Sequence, residues 1–194
     1  MKMTIKKQLV TALLLVGTIP FIIIGLTSYL SSAKSLEKEA FDKLEVARDL
    51  KKSQIQDYFA MMSKNVENLT ENRQIHALYN ELIQKHNFYG VKGSEAFDII
   101  GKTDVKEIFS KYDNYFKNFI KENELYDAFL ICAKHGHVMY SVAKESDLGE
   151  NLVTGHLKDS GLAEAWEETV RTKKAYLTDM APYAPSNNEP SMFM

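Results

Sequence analysis

The chain has 194 residues, with 24 Lys and Arg against 26 Asp and Glu and a formal net charge of −2. That balance lacks the basic surplus that neutralises phosphates, so no nucleic acid is expected as a partner. The single cysteine, Cys132, excludes an internal disulfide framework. It lies in the apolar run Ala128 to Ala133, where a buried, inert thiol is expected.

Leu9 to Leu30, LVTALLLVGTIPFIIIGLTSYL, carries no charged residue. A helix of about 22 residues reaches roughly 33 Å, enough to cross the hydrocarbon core of a lipid bilayer. Gly17, Pro20 and Gly25 weaken a soluble helix but are tolerated in a membrane-spanning one. Lys2, Lys6 and Lys7 precede the stretch. By the positive-inside rule residues 1–8 stay cytoplasmic, 9–30 span, and everything from about Ser31 lies outside. The rival is a cleavable signal peptide, for which Ser31-Ser32-Ala33 offers small residues. The apolar run is longer than the roughly 7–15 residues of a signal-peptide core, which favours a retained anchor.

From Ser31 to about His86 there is neither glycine nor proline, and Leu, Ala, Glu, Lys and Gln dominate. One long extracytoplasmic helix over residues 31–89 is predicted. Leu36, Ala47, Tyr58 and Leu69 recur every eleven residues, as do Leu44, Ile55 and Val66. A repeat of about 3.67 residues per turn keeps such a stripe on one face of a nearly straight helix. The stripe needs a cover, either the following domain or a second copy of the chain.

Gly90 and Gly93 mark a loop. A second helix is predicted over about Asp104 to Glu122, capped by Thr103 or Asp104. Val105, Ile108, Phe109, Tyr112, Phe116, Phe119 and Ile120 fall on one of its faces. Asp127 to Ala133 and His137 to Ala143 read as a β-hairpin with Gly136 in the turn. Ser160 to Lys173 is predicted helical, Ala175 to Ala181 a third strand, and Ser191 to Met194 the start of a fourth. The fold class expected is α+β.

No zinc-protease HExxH, phosphate-binding glycine loop, nucleophile elbow or CxxC pair is present. No enzymatic activity and no cofactor are therefore expected. His135 and His137 flank a turn, but no carboxylate or cysteine stands beside them at ligand spacing, so no metal is expected. Glu167 and Glu168 read as a solvated helix face, and the sequon Asn68-Leu69-Thr70 falls within the long helix.

Asp127 to Ile131, Gly136 and Val138 to Val142 resemble the first hairpin of a Cache sensor domain. The continuation Lys144 to Leu152, with Gly155, Asp159 to Ala163, Asp179 to Ser186 and Glu189-Pro190, is more distinctive. Together they resemble the extracytoplasmic sensors of bacterial methyl-accepting chemotaxis proteins with double-Cache architecture. The resemblance implies a PAS-like module over residues 90–194, following the long helix, in a receptor of the bacterial inner membrane. With Ser191 to Met194 read as the start of a fourth strand, residue 194 is expected to fall inside that strand. The rest of that module, a second span, a HAMP linker and the cytoplasmic coiled coil would then lie beyond the present sequence. A small-molecule ligand between sheet and loops is implied, with a homodimer formed through the long helix. Tyr140, Trp166, Asp179, Tyr183 and Ser186 are the candidate ligand-binding residues, since they combine aromatic walls with a few polar groups. Each is equally suited to a core. The Arg-x-x-Trp-Tyr arrangement of amino-acid-sensing relatives is absent, and Ala184-Pro185 follow Tyr183 where those relatives carry an aspartate. An amino-acid ligand is therefore not expected. The same module attached to a histidine kinase or cyclic-dinucleotide enzyme, or a membrane-anchored interaction protein, are the alternatives.

Overall fold

The computed structural model describes residues 5–194, so Lys2 lies outside the described residues. The chain divides into two compact units, one ending at Tyr58 and one running from Phe59 to Met194. Helix α1 (Ile5–Thr70) has 66 residues and passes through the boundary.

In the first unit every described residue is exposed. The apolar stretch has a mean hydropathy of 2.6 over 18 residues, long and apolar enough to cross a membrane. Its three threonine hydroxyls are met within the helix. Thr11 donates to the Lys7 carbonyl at 2.8 Å, Thr18 to Leu14 at 2.7 Å and Thr27 to Ile23 at 2.9 Å. No donor among these three threonines is left facing hydrocarbon, which is what a spanning helix requires. Pro20 interrupts one backbone bond without ending the helix. Farther along, Leu36, Leu44 and Ile55 of the eleven-residue stripe are exposed.

The second unit opens with the last turns of α1, where Met62 is buried and Asn65 donates to the Asn123 side chain at 2.8 Å. The predicted single helix over 31–89 is broken after Thr70. Asn72 accepts from the Gln74 backbone at 2.8 Å and starts α2 (Arg73–Phe88). A capping side chain thus ends a segment that has no glycine or proline to mark the break. A 3-10 turn (Asp98–Gly101) leads into α3 (Thr103–Glu122), which buries Val105, Ile108, Phe109, Tyr112 and Phe116 against Leu78 and Leu82 of α2. Its cap differs from expectation. Lys102 occupies the position, and Asp104 instead pairs with Lys85 at 2.6 Å and accepts from the Tyr89 hydroxyl at 3.0 Å.

Strands β1 (Phe129–Ile131) and β2 (Val138–Ser141) pair antiparallel, with a register shift that leaves Met139 outside the pairing. Gly136 closes the turn at φ +71°, a conformation that favours glycine. Leu130 and Tyr140 face the α2–α3 core, while Ile131 and Val138 face a second cluster. That cluster joins α4 (Gly161–Thr172), capped by Ser160, to Leu152, Leu157 and Tyr183. The hairpin is therefore a middle layer between two apolar faces.

The predicted third strand over Ala175 to Ala181 is displaced. β3 is Ala181–Tyr183, and it pairs antiparallel with β4 (Glu189–Ser191), which ends at Ser191, the residue expected to begin the fourth strand, so residues 192–194 lie outside a strand. The two hairpins form separate two-stranded sheets, not one continuous PAS-like sheet. Thr178 still reaches across, its N–H donating to the Phe193 carbonyl at 2.9 Å.

Candidate functional site

The five residues named from sequence are not gathered into one pocket. Tyr140 is fully buried in the α2–α3 core, where its hydroxyl donates to Asp113 at 2.9 Å. Trp166 packs in the α4 cluster and its indole N–H donates to the Cys132 carbonyl at 3.1 Å. Asp179 is exposed. Tyr183 and Ser186 are buried and meet the segment after β2. Tyr183 donates to Asp147 at 2.9 Å, and Ser186 donates to Glu145 at 2.8 Å.

Asp147 is the centre of this second neighbourhood and was not legible from sequence. It is fully buried, and its Oδ1 has no hydrogen-bond partner. Nearby, Asp127 accepts from the Ser141 hydroxyl at 2.6 Å and the Val142 N–H at 2.7 Å. Burial, reinforced by the charges of Asp127 and Glu145, pushes the Asp147 carboxyl from its ordinary 3.8 up to about 6, against the Tyr183 hydrogen bond. A carboxyl with a raised folded-state pKa holds its proton longer in the folded chain than in the unfolded one. Its contribution is full below pH 4 and is lost as pH rises toward 6. The loss is about 3 kcal/mol, from a shift of roughly 2 units. Asp147→Asn is therefore expected to differ from the parent in the pH dependence of urea stability between pH 4 and 6. Parallel curves for the two proteins would show that Asp147 does not titrate there.

An open groove of about 480 Å³ runs beside the 3-10 turn and α3, lined by Ile100, Gly101, Lys106, Phe109, Ser110, Lys144 and Leu148. Lys144 is held by an ion pair with Asp113 and lies over the Phe109 ring. None of the five sequence-named residues lines it.

The third neighbourhood gathers His86, His135 and His137. His86 is in the last turn of α2, and the other two lie in the β1–β2 connection. Their ring centroids are 5.2 to 5.5 Å apart. Gly93 packs directly on His135, since a Cβ there would lie 2.7 Å from the ring. Burial lowers the pKa of both His135 and His137; the Lys134 charge and His86 add to it at His135, while at His137 the Glu95 and Lys92 carbonyls oppose it and His86 and His135 reinforce it. Both rings are thus neutral at pH 7. Sequence spacing exposed only the pair His135 and His137. The missing signal was present in α2, where Leu78, Leu82 and His86 continue one buried stripe in steps of four.

No protein-family model, no curated protein and no solved structure matches this chain. By its own features it is an α+β protein whose first helix is long and apolar enough to cross a membrane.

Proposed function

We propose that this chain is the membrane-anchored, ligand-sensing part of a bacterial receptor of the chemoreceptor type. The observation that carries the reading is α1, a single helix holding an uncharged apolar stretch near one end and entering the folded α+β unit at the other. The ordered motifs from Asp127 to Pro190 support the Cache resemblance. The exposed stripe of Leu36, Leu44 and Ile55 supports pairing with a second copy. The groove beside α3, lined by Ile100, Phe109 and Leu148 together with Lys106 and the Asp113-paired Lys144, suits a small organic anion held through Lys106. A ligand that prefers one arrangement of this unit shifts the population of helix positions, and shifts of about 1–2 Å suffice as a signal.

Topology fusions test the placement. A phosphatase active only outside the cytoplasm is expected to work when fused after residue 194 and to fail after residue 8. The reverse pattern would overturn it. Ligand sensing is tested on the full chain in nanodiscs against a panel of small carboxylates. Saturable stabilisation by at least one, abolished by Lys106→Glu, is the expected outcome. A panel without effect would remove the groove from the reading.

A further inference from the structure

We propose that His86, His135 and His137 form a binding site for one divalent transition-metal ion of the zinc class. The inference stands apart from the sensory reading above, because it uses only the local arrangement of three side chains.

Each histidine offers one ring nitrogen, and these atoms all lie within 4.8 Å of one another. Proximity alone would not suffice, but the hydrogen-bond pattern is directional. His137 Nε2 lies 2.9 Å from the Glu95 carbonyl oxygen. A carbonyl only accepts, so that nitrogen carries the proton and Nδ1 is a bare lone pair. His86 Nδ1 lies 3.2 Å from the Asn87 side-chain oxygen, and with Nδ1 donating there its Nε2 is the bare nitrogen. Those two bare atoms, His137 Nδ1 and His86 Nε2, are buried and have no hydrogen-bond partner. Among the described residues three buried side-chain atoms lack a partner, and two of the three belong to this triad. Buried lone pairs without donors are costly, and a cation is the partner that satisfies both together.

The outer contacts have the form that metal-binding histidines use. In His137 and His86 one nitrogen faces a backbone or side-chain oxygen, as in metal sites where that contact orients the ligand, and His135 Nδ1 lies 3.9 Å from Cys132 Sγ. Asn151 holds the supporting loop by donating to the Gly93 and Glu95 carbonyls at 2.9 and 3.0 Å. Gly93 leaves room for the His135 ring where any side chain would displace it.

The donor set selects the ion. Three imidazoles and no carboxylate suit zinc, nickel or copper and do not suit calcium or magnesium, which take oxygen ligands. Zinc–nitrogen bonds of about 2.0–2.1 Å place tetrahedral ligands roughly 3.4 Å apart, so the rings close in modestly on binding. Three protein ligands leave a fourth position for water. The ion would clamp the end of α2 to the β1–β2 turn.

The test uses the full chain without an affinity tag, stripped with a chelator in detergent. Zinc is titrated in competition with a chromophoric chelator, and thermal unfolding is followed with and without the metal. One zinc per chain is expected, with a higher melting temperature in its presence. His135→Ala, at a half-buried position, is expected to weaken binding by about 100-fold or more and to abolish the thermal shift. Gly93→Ala should weaken binding in the same direction by displacing the His135 ring. His156→Ala, an exposed histidine outside the triad, should bind as the parent does. Absence of saturable binding in the parent would overturn the site, as would parental affinity in a folded His135→Ala protein. Equal losses in His156→Ala and His135→Ala would assign the metal to surface chelation and overturn it too.

Discussion

Tyr140→Ala is expected to destabilise the second unit by about 3–5 kcal/mol, the range found for truncating a large buried aromatic side chain. The side chain has no solvent exposure and lies among Phe109 and Phe116, with ring centroids at 5.4 and 4.9 Å. It also ties the hairpin to α3 through its hydroxyl, which donates to Asp113. Asp113 in turn holds Lys144, and Lys117 lies at 3.6 Å from it. Tyr140→Phe keeps the ring and removes one hydrogen bond to a charged acceptor, so a smaller loss of about 1–3 kcal/mol is expected. Domains of this size hold only about 5–15 kcal/mol in total, so the alanine variant should unfold at markedly lower urea. The pair of variants separates two roles for this residue. A core tyrosine loses stability in the order Ala, then Phe. A ligand-wall tyrosine loses affinity in both variants with little change in stability. A loss under about 1 kcal/mol in Tyr140→Ala would mean that the α2–α3 core does not close on this residue.

The elements that sequence reading located share a physical cause. α3 and α4 each repeat apolar residues at helical spacing, and five of the seven residues expected on one face of α3 are buried. Gly136 marks a turn because few other residues adopt its backbone angle. What stayed hidden depends on partners distant in the chain. The break after Thr70 is made by one asparagine, in a composition that otherwise favours continuation. Tyr176 and Thr178 within residues 175–180 favour a strand, but strand formation needs an edge. The available partner, Glu189–Ser191, pairs with Ala181–Tyr183 instead. The site follows the same rule. His86 and His137 read as unrelated until α2 and the hairpin turn are placed together. Asp147 becomes unusual only when Tyr183 arrives to cover it.

Two aspartates in the apolar stretch, Leu14→Asp with Ile22→Asp, are expected to remove the chain from carbonate-washed membranes. Near the centre of a span each exchange of an aliphatic side chain for an aspartate costs about 3–4 kcal/mol, so the pair costs about 6–8 kcal/mol. No partner is at hand for these charges, since every described side chain in this part of α1 is exposed. The matched control places the same charges in the stripe, as Leu44→Asp with Ile55→Asp. These positions are also exposed, yet they alternate with lysines, glutamates and aspartates along the helix. That composition suits contact with another protein surface better than hydrocarbon. The control is therefore expected to stay in the membrane while losing crosslinkable self-association. The two pairs thus assign separate tasks to two segments of one helix. If the stripe pair releases the chain and the apolar pair does not, α1 lies along the membrane surface and does not cross it. If neither pair releases it, the folded unit must itself bind lipid, and the anchoring role of residues 9–30 fails.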